Sequence, residues 1–194
     1  ELHKENIRRK FGVGKDDFLL LFVGWEFKRK GLAVIISSLS YLEKRVKILV
    51  VGPDEPGPYQ RLARDLEVQD RVIFVGARSE TERFYAASDV FCLPTSYEPF
   101  ALVIIEAMAS GIPVIVSKIA GGADLIENRE SGFLLEDHQD PKEIAEKVSV
   151  LMKDSKLKHK MEENGRAVAE EYSWKRMARR VLEVYEEVAK KKKM

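Results

Sequence analysis

Residues 89–117 read DVFCLPTSYEPFALVIIEAMASGIPVIVS. The stretch opens on a short apolar run, Asp89–Pro94, and closes on another, Pro113–Ser117; both read as strands ended by Pro or Ser. Between them Leu102–Ala109 is helix-forming and apolar on every side except at Glu106. A helix that is hydrophobic all round is normally buried. A carboxylate in such a helix is costly unless a partner or a hydrogen bond compensates it. Glu98 lies eight positions earlier, in the turn that opens the helix. A strand therefore ends, a loop carries one acid, and an apolar helix carries another. Such an arrangement suits a polar ligand held at a helix N-terminus.

The same alternation extends outward. Phe18–Gly24 (FLLLFVG), Val46–Gly52 (VKILVVG), Arg71–Gly76 (RVIFVG) and Gly132–Leu135 (GFLL) read as further short strands. Helical patterns fall near 30–40, 57–68, 79–87, 100–110 and 121–127. Continuous apolar strands separated by helices predict a parallel sheet covered on both faces. The expected fold class is α/β: a doubly wound, Rossmann-like sheet of about six strands, with ligands bound at the strands' carboxyl ends. Extra helices follow. Asp140-Pro141 starts one with a cap and a Pro at the first position, Ser155 starts a second, and Ser173 caps a third that runs to the terminal lysines. Residues 1–11 read as a short leading helix, 173–194 as the closing one, and 1–194 as a single domain without repeats.

Composition excludes several classes. With 33 basic against 32 acidic residues, no global field favours nucleic acid. A single cysteine, Cys92, allows no internal disulfide and fits a reducing compartment, so a cytoplasmic setting is expected. No apolar run is long enough to cross a bilayer. A charged fraction of 34%, rich in Lys and Glu, points toward a thermophile. His3, His138 and His159 lack metal-ligand spacing, and no Asp-x-Asp, Cys pair or HExxH argues for a metal. No GxSxG suggests an acyl nucleophile, and Gly121-Gly122 makes no dinucleotide fingerprint after the first strand.

The candidate chemistry gathers at strand ends. The first strand ends in Gly24-Trp25-Glu26-Phe27-Lys28-Arg29-Lys30-Gly31, placing three consecutive cations where an anionic ligand would bind. A solvated basic loop explains this stretch equally well taken alone. Trp25 could pack on a ligand, but a Trp beside a strand end reads first as peripheral core. Glu98 is explained by the helix macrodipole without any ligand, whereas Glu106, in the second turn amid apolar neighbours, is not. Backbone N–H groups at Phe100, Ala101 and Leu102 would form an anion site. Carboxylates accepting ribose or sugar hydroxyls are the simplest use of the two acids. Cys92, in a core strand, reads as an inert thiol.

Together these residues resemble the carboxyl-terminal, donor-binding domain of family 4 glycosyltransferases (glycosyl transferases group 1) of the GT-B fold. The resemblance rests on FVG followed by Lys30-Gly31, on VVG at 50–52, on DRVIFVG at 70–76, on Glu98-x7-Glu106 and on AGGADLI at 120–126 with SGFLLE after it. It spans residues of about 10 to about 185. The loop VGWEFKRKG is most similar to that of the lipopolysaccharide-core glucosyltransferases. Trp25 stands where the family often has Arg, and EPFA replaces its usual EGFG turn. The resemblance implies retaining transfer from a nucleoside-diphosphate sugar to a glycan or lipid-linked acceptor, without a metal or other cofactor. Lys30 and Arg29 would neutralise the leaving diphosphate, with the helix start at 100–102 sharing its charge. Gly24 would give the tight exit into the loop, Glu98 would bind sugar hydroxyls, Glu106 would bind the ribose, and the backbone near Ala77 and Arg78 would read the base. It further implies a missing N-terminal acceptor domain, inactivity of this half alone, polysaccharide biosynthesis as the setting, and peripheral association of the longer enzyme with a membrane surface, toward which the terminal lysines would add a little. Two other readings stay open: a nucleotide-binding module that does not transfer sugar, and another GT-B-like sugar-nucleotide enzyme such as an epimerase.

Overall fold

A computed structural model describes residues 2–100 and 102–191. Six strands form one sheet: β1 (Phe18–Val23), β2 (Val46–Val51), β3 (Val72–Gly76), β4 (Val90–Leu93), β5 (Val114–Ser117) and β6 (Phe133–Leu135). All pair in parallel, in the order β3-β2-β1-β4-β5-β6. The strand order reverses between β1 and β4, which is where a ligand crevice opens in such sheets. Because the sheet is parallel, Gly24, Gly52, Gly76, Pro94 and Ser117 share one rim, as expected from their positions after apolar runs.

The apolar runs form strands because both of their faces are covered. Every residue of β4 and β5 is buried, and Leu19–Phe22 in β1 are 0% exposed. Each such Leu or Phe contributes about 1.5–3 kcal/mol relative to an exposed side chain. The covering helices are α1 (Leu2–Lys10), α2 (Leu32–Ser38), α3 (Gly57–Asp65), α4 (Thr81–Ala87), α5 (Leu102–Ala109), α6 (Pro141–Lys153) and α7 (Ser155–Glu171). Helix α2 packs with α3 and α6 on one face; α4 packs with α1 and α5, and α5 with α7, on the other. Right-handed crossovers demand this split, since β1 to β3 run outward one way and β4 to β6 the other. Asp140 caps α6 by accepting from the Lys142 N–H at 2.8 Å, and Pro141 occupies its first position, as the sequence predicts.

Two expectations fail here. The helix expected over 121–127 is only a 3₁₀ turn, Ala123–Leu125, entered through Gly122 at φ 97°. Its run of AGGADLI lacks the apolar period that would give a longer helix something to bury. Helix α5 is not buried all round. It buries Ile104, Ala107 and Met108, but Leu102 is 46% exposed and Glu106 is exposed as well. The last helix, α8 (Trp174–Lys191), buries none of its residues.

Candidate functional site

A cleft of about 440 Å³ opens on the carboxyl rim at the β1/β4 reversal. Two glycines, Gly24 and Gly52, line its floor. The Gly24 N–H donates to the Val51 carbonyl at 3.0 Å, and the Gly52 N–H to the Gly76 carbonyl at 3.1 Å, so the strand ends abut sideways. A Cβ on Gly52 would lie 2.0 Å from the Gly24 carbonyl oxygen, and one on Gly24 would lie 2.6 Å from Cδ of Lys30. Gly24 is thus required by the aliphatic stem of Lys30, which runs across it. That stem, and the seating of Gly31 against the Pro94 carbonyl, leave Lys30 only 8% exposed. A lysine so deeply placed needs a partner.

Glu98 supplies it. Lys30 Nζ lies 3.0 Å from Glu98 Oε2, and the Arg29 guanidinium donates to the same oxygen at 3.3 Å. Arg29 also donates to the Tyr97 carbonyl and, at 2.8 and 3.1 Å, to Glu26 Oε2. That contact holds the Glu26 carboxyl below the usual carboxylate range and raises the Arg29 guanidinium above its own. Glu26 adopts φ 54°, an uncommon left-handed conformation for a residue with a Cβ. Of the three loop cations only Arg29 and Lys30 reach the cleft; Lys28 is exposed elsewhere.

The loop bearing Glu98 is tightly buttressed. Thr95 Oγ1 donates to the Tyr97 carbonyl at 2.9 Å, Ser117 Oγ donates to the Thr95 carbonyl at 2.7 Å, and the Ser96 N–H donates to the Arg29 carbonyl at 3.0 Å. The Gly121 N–H donates to the Glu98 carbonyl at 2.6 Å, and a Cβ there would fall 1.8 Å from the Pro99 oxygen. Gly121 therefore admits the close approach that fixes Glu98, a role its sequence neighbours do not advertise.

Glu106 lines the same cleft from α5, with Val103 beside it. Its Oε2 accepts from the Tyr85 hydroxyl at 2.9 Å. Tyr85 was not singled out in the sequence, although a tyrosine amid the apolar FYAA of α4 needs a partner for its hydroxyl. Ala77 and Arg78 lie on the far wall after β3, both exposed, with the Arg78 guanidinium donating to the Ala77 carbonyl at 2.7 Å. The cleft thus brings together Gly24, Arg29, Lys30, Ala77, Arg78, Glu98 and Glu106. It does not include the side chains of Phe100 and Leu102, which line a neighbouring apolar groove of about 560 Å³ beside Ile105, Trp174 and Met177. Ala101 lies outside the described residues. Trp25 is not core: it stands 72% exposed at the cleft edge, because Gly24 and the left-handed Glu26 turn the chain outward on either side of it. Cys92 is fully buried, and burial pushes its thiol up, consistent with an inert side chain.

A doubly wound parallel sheet with paired cations and acids at its reversal point defines a Rossmann-like domain with a site suited to an anionic, hydroxyl-bearing ligand. The profile of the family described as "Glycosyl transferases group 1" matches residues 3–168, and the chain belongs to that family. It is 32% identical over 188 residues to an uncharacterized glycosyltransferase of Methanocaldococcus jannaschii, covering 94% of this chain and 48% of that protein. It is 29% identical over 171 residues to the lipopolysaccharide glucosyltransferase WaaG of Escherichia coli, covering 86% of this chain and 46% of WaaG. Among solved structures, Anabaena HepE in complex with UDP-glucose superposes with a TM-score of 0.82 at 26% identity, over 87% of this chain and 48% of that one. The chain spans about half the length of the curated relatives it matches. Among the described residues, no helix is long and apolar enough to cross a membrane.

Proposed function

We propose that this domain binds the donor of a retaining glycosyltransferase, a nucleoside-diphosphate sugar, and that the acceptor is held by a second, N-terminal half of a longer enzyme. The observation that carries the reading is Lys30: buried, at the strand-order reversal, with its ammonium aimed into a cleft and facing a carboxylate 3.0 Å away. Burying an ammonium is costly, and an anionic ligand that takes over its charge offsets that cost. As the bond from the anomeric carbon to the diphosphate breaks, its electron pair collects on the departing phosphate oxygen. Lys30 and Arg29 stabilise that charge without a resident metal. Glu98, once displaced from the two cations, accepts hydroxyls of the sugar; Glu106 accepts hydroxyls of the ribose; the backbone at Ala77 and Arg78 faces the base.

The relatives' names support a sugar nucleotide: HepE was solved with UDP-glucose, and WaaG is named a glucosyltransferase. Helix α8 supports the second half. Its apolar residues Met177, Val181, Tyr185 and Val188 recur at one face yet stand 38–69% exposed. We infer that the other half of the enzyme covers that face.

Calorimetric titration of UDP, GDP and ADP and their glucose conjugates into the 194-residue chain tests the donor reading. One of these should bind, and Lys30→Ala should lose the interaction. A chain that binds none of them, or a Lys30→Ala variant that binds unchanged, defeats it. A sugar-transfer assay on the same chain should give no turnover, since no acceptor is held in a near-attack position.

A further inference from the structure

Tyr85 is the largest side chain in the core and is 1% exposed. Its ring packs against Phe91 of β4, with centroids 6.0 Å apart. Its hydroxyl reaches Glu106, which lines the cleft. It has two acceptors in reach, Glu106 Oε2 at 2.9 Å and the Val103 carbonyl at 3.4 Å. A phenol carries one proton, and the shorter, charge-assisted bond goes to the carboxylate. Burial beside Glu106 raises the phenol further, so it stays a donor throughout the working range of pH.

Glu106 has the opposite problem. It is exposed, on a helix, with three rotatable bonds and cleft on one side. A ligand that used a freely rotating carboxylate would have to order it on binding, and that ordering weakens affinity. Among the described residues, Tyr85 is the side chain that hydrogen-bonds to the Glu106 carboxylate. With Oε2 engaged from below, the second oxygen is the one left for the cleft.

We propose that Tyr85 is a positioning residue: its buried hydroxyl pre-orients Glu106 for the two ribose hydroxyls of the nucleotide, and so sets how strongly the site distinguishes a ribonucleotide from its deoxy counterpart. This rests on the ribose role proposed for Glu106. One carboxylate oxygen has two lone pairs and can accept from both hydroxyls of a vicinal diol only if its angle is held, and a donor fixed in the core, rather than on a loop, holds it most firmly.

The test compares whichever of UDP, GDP or ADP binds best with its 2′,3′-dideoxy analogue, by calorimetry. The wild type should prefer the ribonucleotide by about 10-fold or more. Tyr85→Phe, which keeps the ring, should cut that preference by about 3- to 10-fold while leaving affinity for the dideoxy probe unchanged. Glu106→Ala should abolish the preference, and adding Tyr85→Phe to it should change nothing more, because there is no carboxylate left to position. A merely structural tyrosine would instead weaken both probes alike, or neither. Full preference retained in Tyr85→Phe, with Glu106→Ala having lost it, overturns the positioning role and spares the ribose reading. No preference in the wild type, or a preference that survives Glu106→Ala, overturns the ribose reading and the inference with it.

Discussion

At the carboxyl end of β2, Gly52 has no room for a single extra carbon, because the Gly24 carbonyl stands 2.0 Å from where its Cβ would be. Across the molecule, α8 has room for almost anything: eighteen residues, a continuous apolar face, and Trp174 80% exposed at its start. The cleft is over-determined. Arg29, Lys30 and Glu98 are paired, its loops are cross-bonded, and Gly52 and Gly121 mark contacts between backbones. The helix is under-determined: it is strongly amphipathic, yet beyond the groove at Trp174 and Met177 its apolar face stands exposed. In the first region packing explains the sequence. In the second the sequence states a demand that these residues do not satisfy.

The largest effect that could break this contrast is at the glycines. Gly52→Ala and Gly121→Ala each drive a methyl into a backbone carbonyl, not into a side chain that can swing away. Each should destabilise by roughly 3 kcal/mol or more, at the top of the range for overpacking. For a domain of this size that lowers the thermal midpoint by roughly 6–12 °C. Differential scanning calorimetry reads this directly. A loss under 1 kcal/mol at both sites would mean that the rim relaxes easily and is not the rigid part.

Lys30→Ala comes next. Removing the ammonium strands Glu98 with Arg29 alone and takes a charge-assisted contact from the ligand, so nucleoside-diphosphate affinity should fall by about 1.5–3 kcal/mol, or about 10- to 150-fold. Arg29→Ala should cost less, since Glu26 already neutralises part of that guanidinium. Should the two variants fall by the same amount in titrations with the same diphosphate, the Glu26 contact carries no weight.

Much of this was readable before any coordinates. Five apolar runs closed by Gly, Pro or Ser, and a sixth at Gly132–Leu135, form six strands because in a parallel sheet both faces are buried and no polar alternation interrupts them. Lys30, Glu98 and Glu106, which line one cleft, stand out in the sequence as charged residues at strand ends and in an apolar helix. Where one residue's setting depends on the backbone around it or on distant segments, the residue type alone does not announce it. Glu106 was expected to be buried because α5 is apolar all round, yet such a helix can also face the core on one side and a second groove on the other. The exposure of Trp25 follows from the left-handed backbone at Glu26, which no residue type there announces. Tyr85 was passed over because its partner lies 21 residues away. Gly121 was visible only as half of a Gly pair, its contact with Pro99 being set by the meeting of two loops.

Glu98 offers a sharper, smaller test of the cleft. Since its Oε2 already occupies both cations, an incoming diphosphate must displace it. Glu98→Gln should therefore bind the bare nucleoside diphosphate several-fold more tightly, by about 1 kcal/mol, while losing ground on the sugar conjugate for which the carboxylate is an acceptor. The two ligands should move in opposite directions. Parallel weakening of both in the same titration series would show that Glu98 serves only to hold Lys30 in place.

The smallest expected change is on α8. Met177, Val181 and Tyr185 lie four residues apart along one face, each well exposed. Replacing all three with Gln keeps good helix formers and removes the apolar stripe. Because the side chains touch little of the domain, stability of this chain should change by no more than about 0.5 kcal/mol. Two other readouts should move. Concentration-dependent self-association in sedimentation should diminish, since an exposed apolar face of this length invites it. In a longer protein that carries the second half, the same three substitutions should lower the thermal midpoint, because there the face would be buried. The opposite result, a fall of several degrees in the 194-residue chain, would place α8 among the packed elements and erase the contrast with the cleft. The same triple variant therefore separates a helix awaiting a partner from one that already has it.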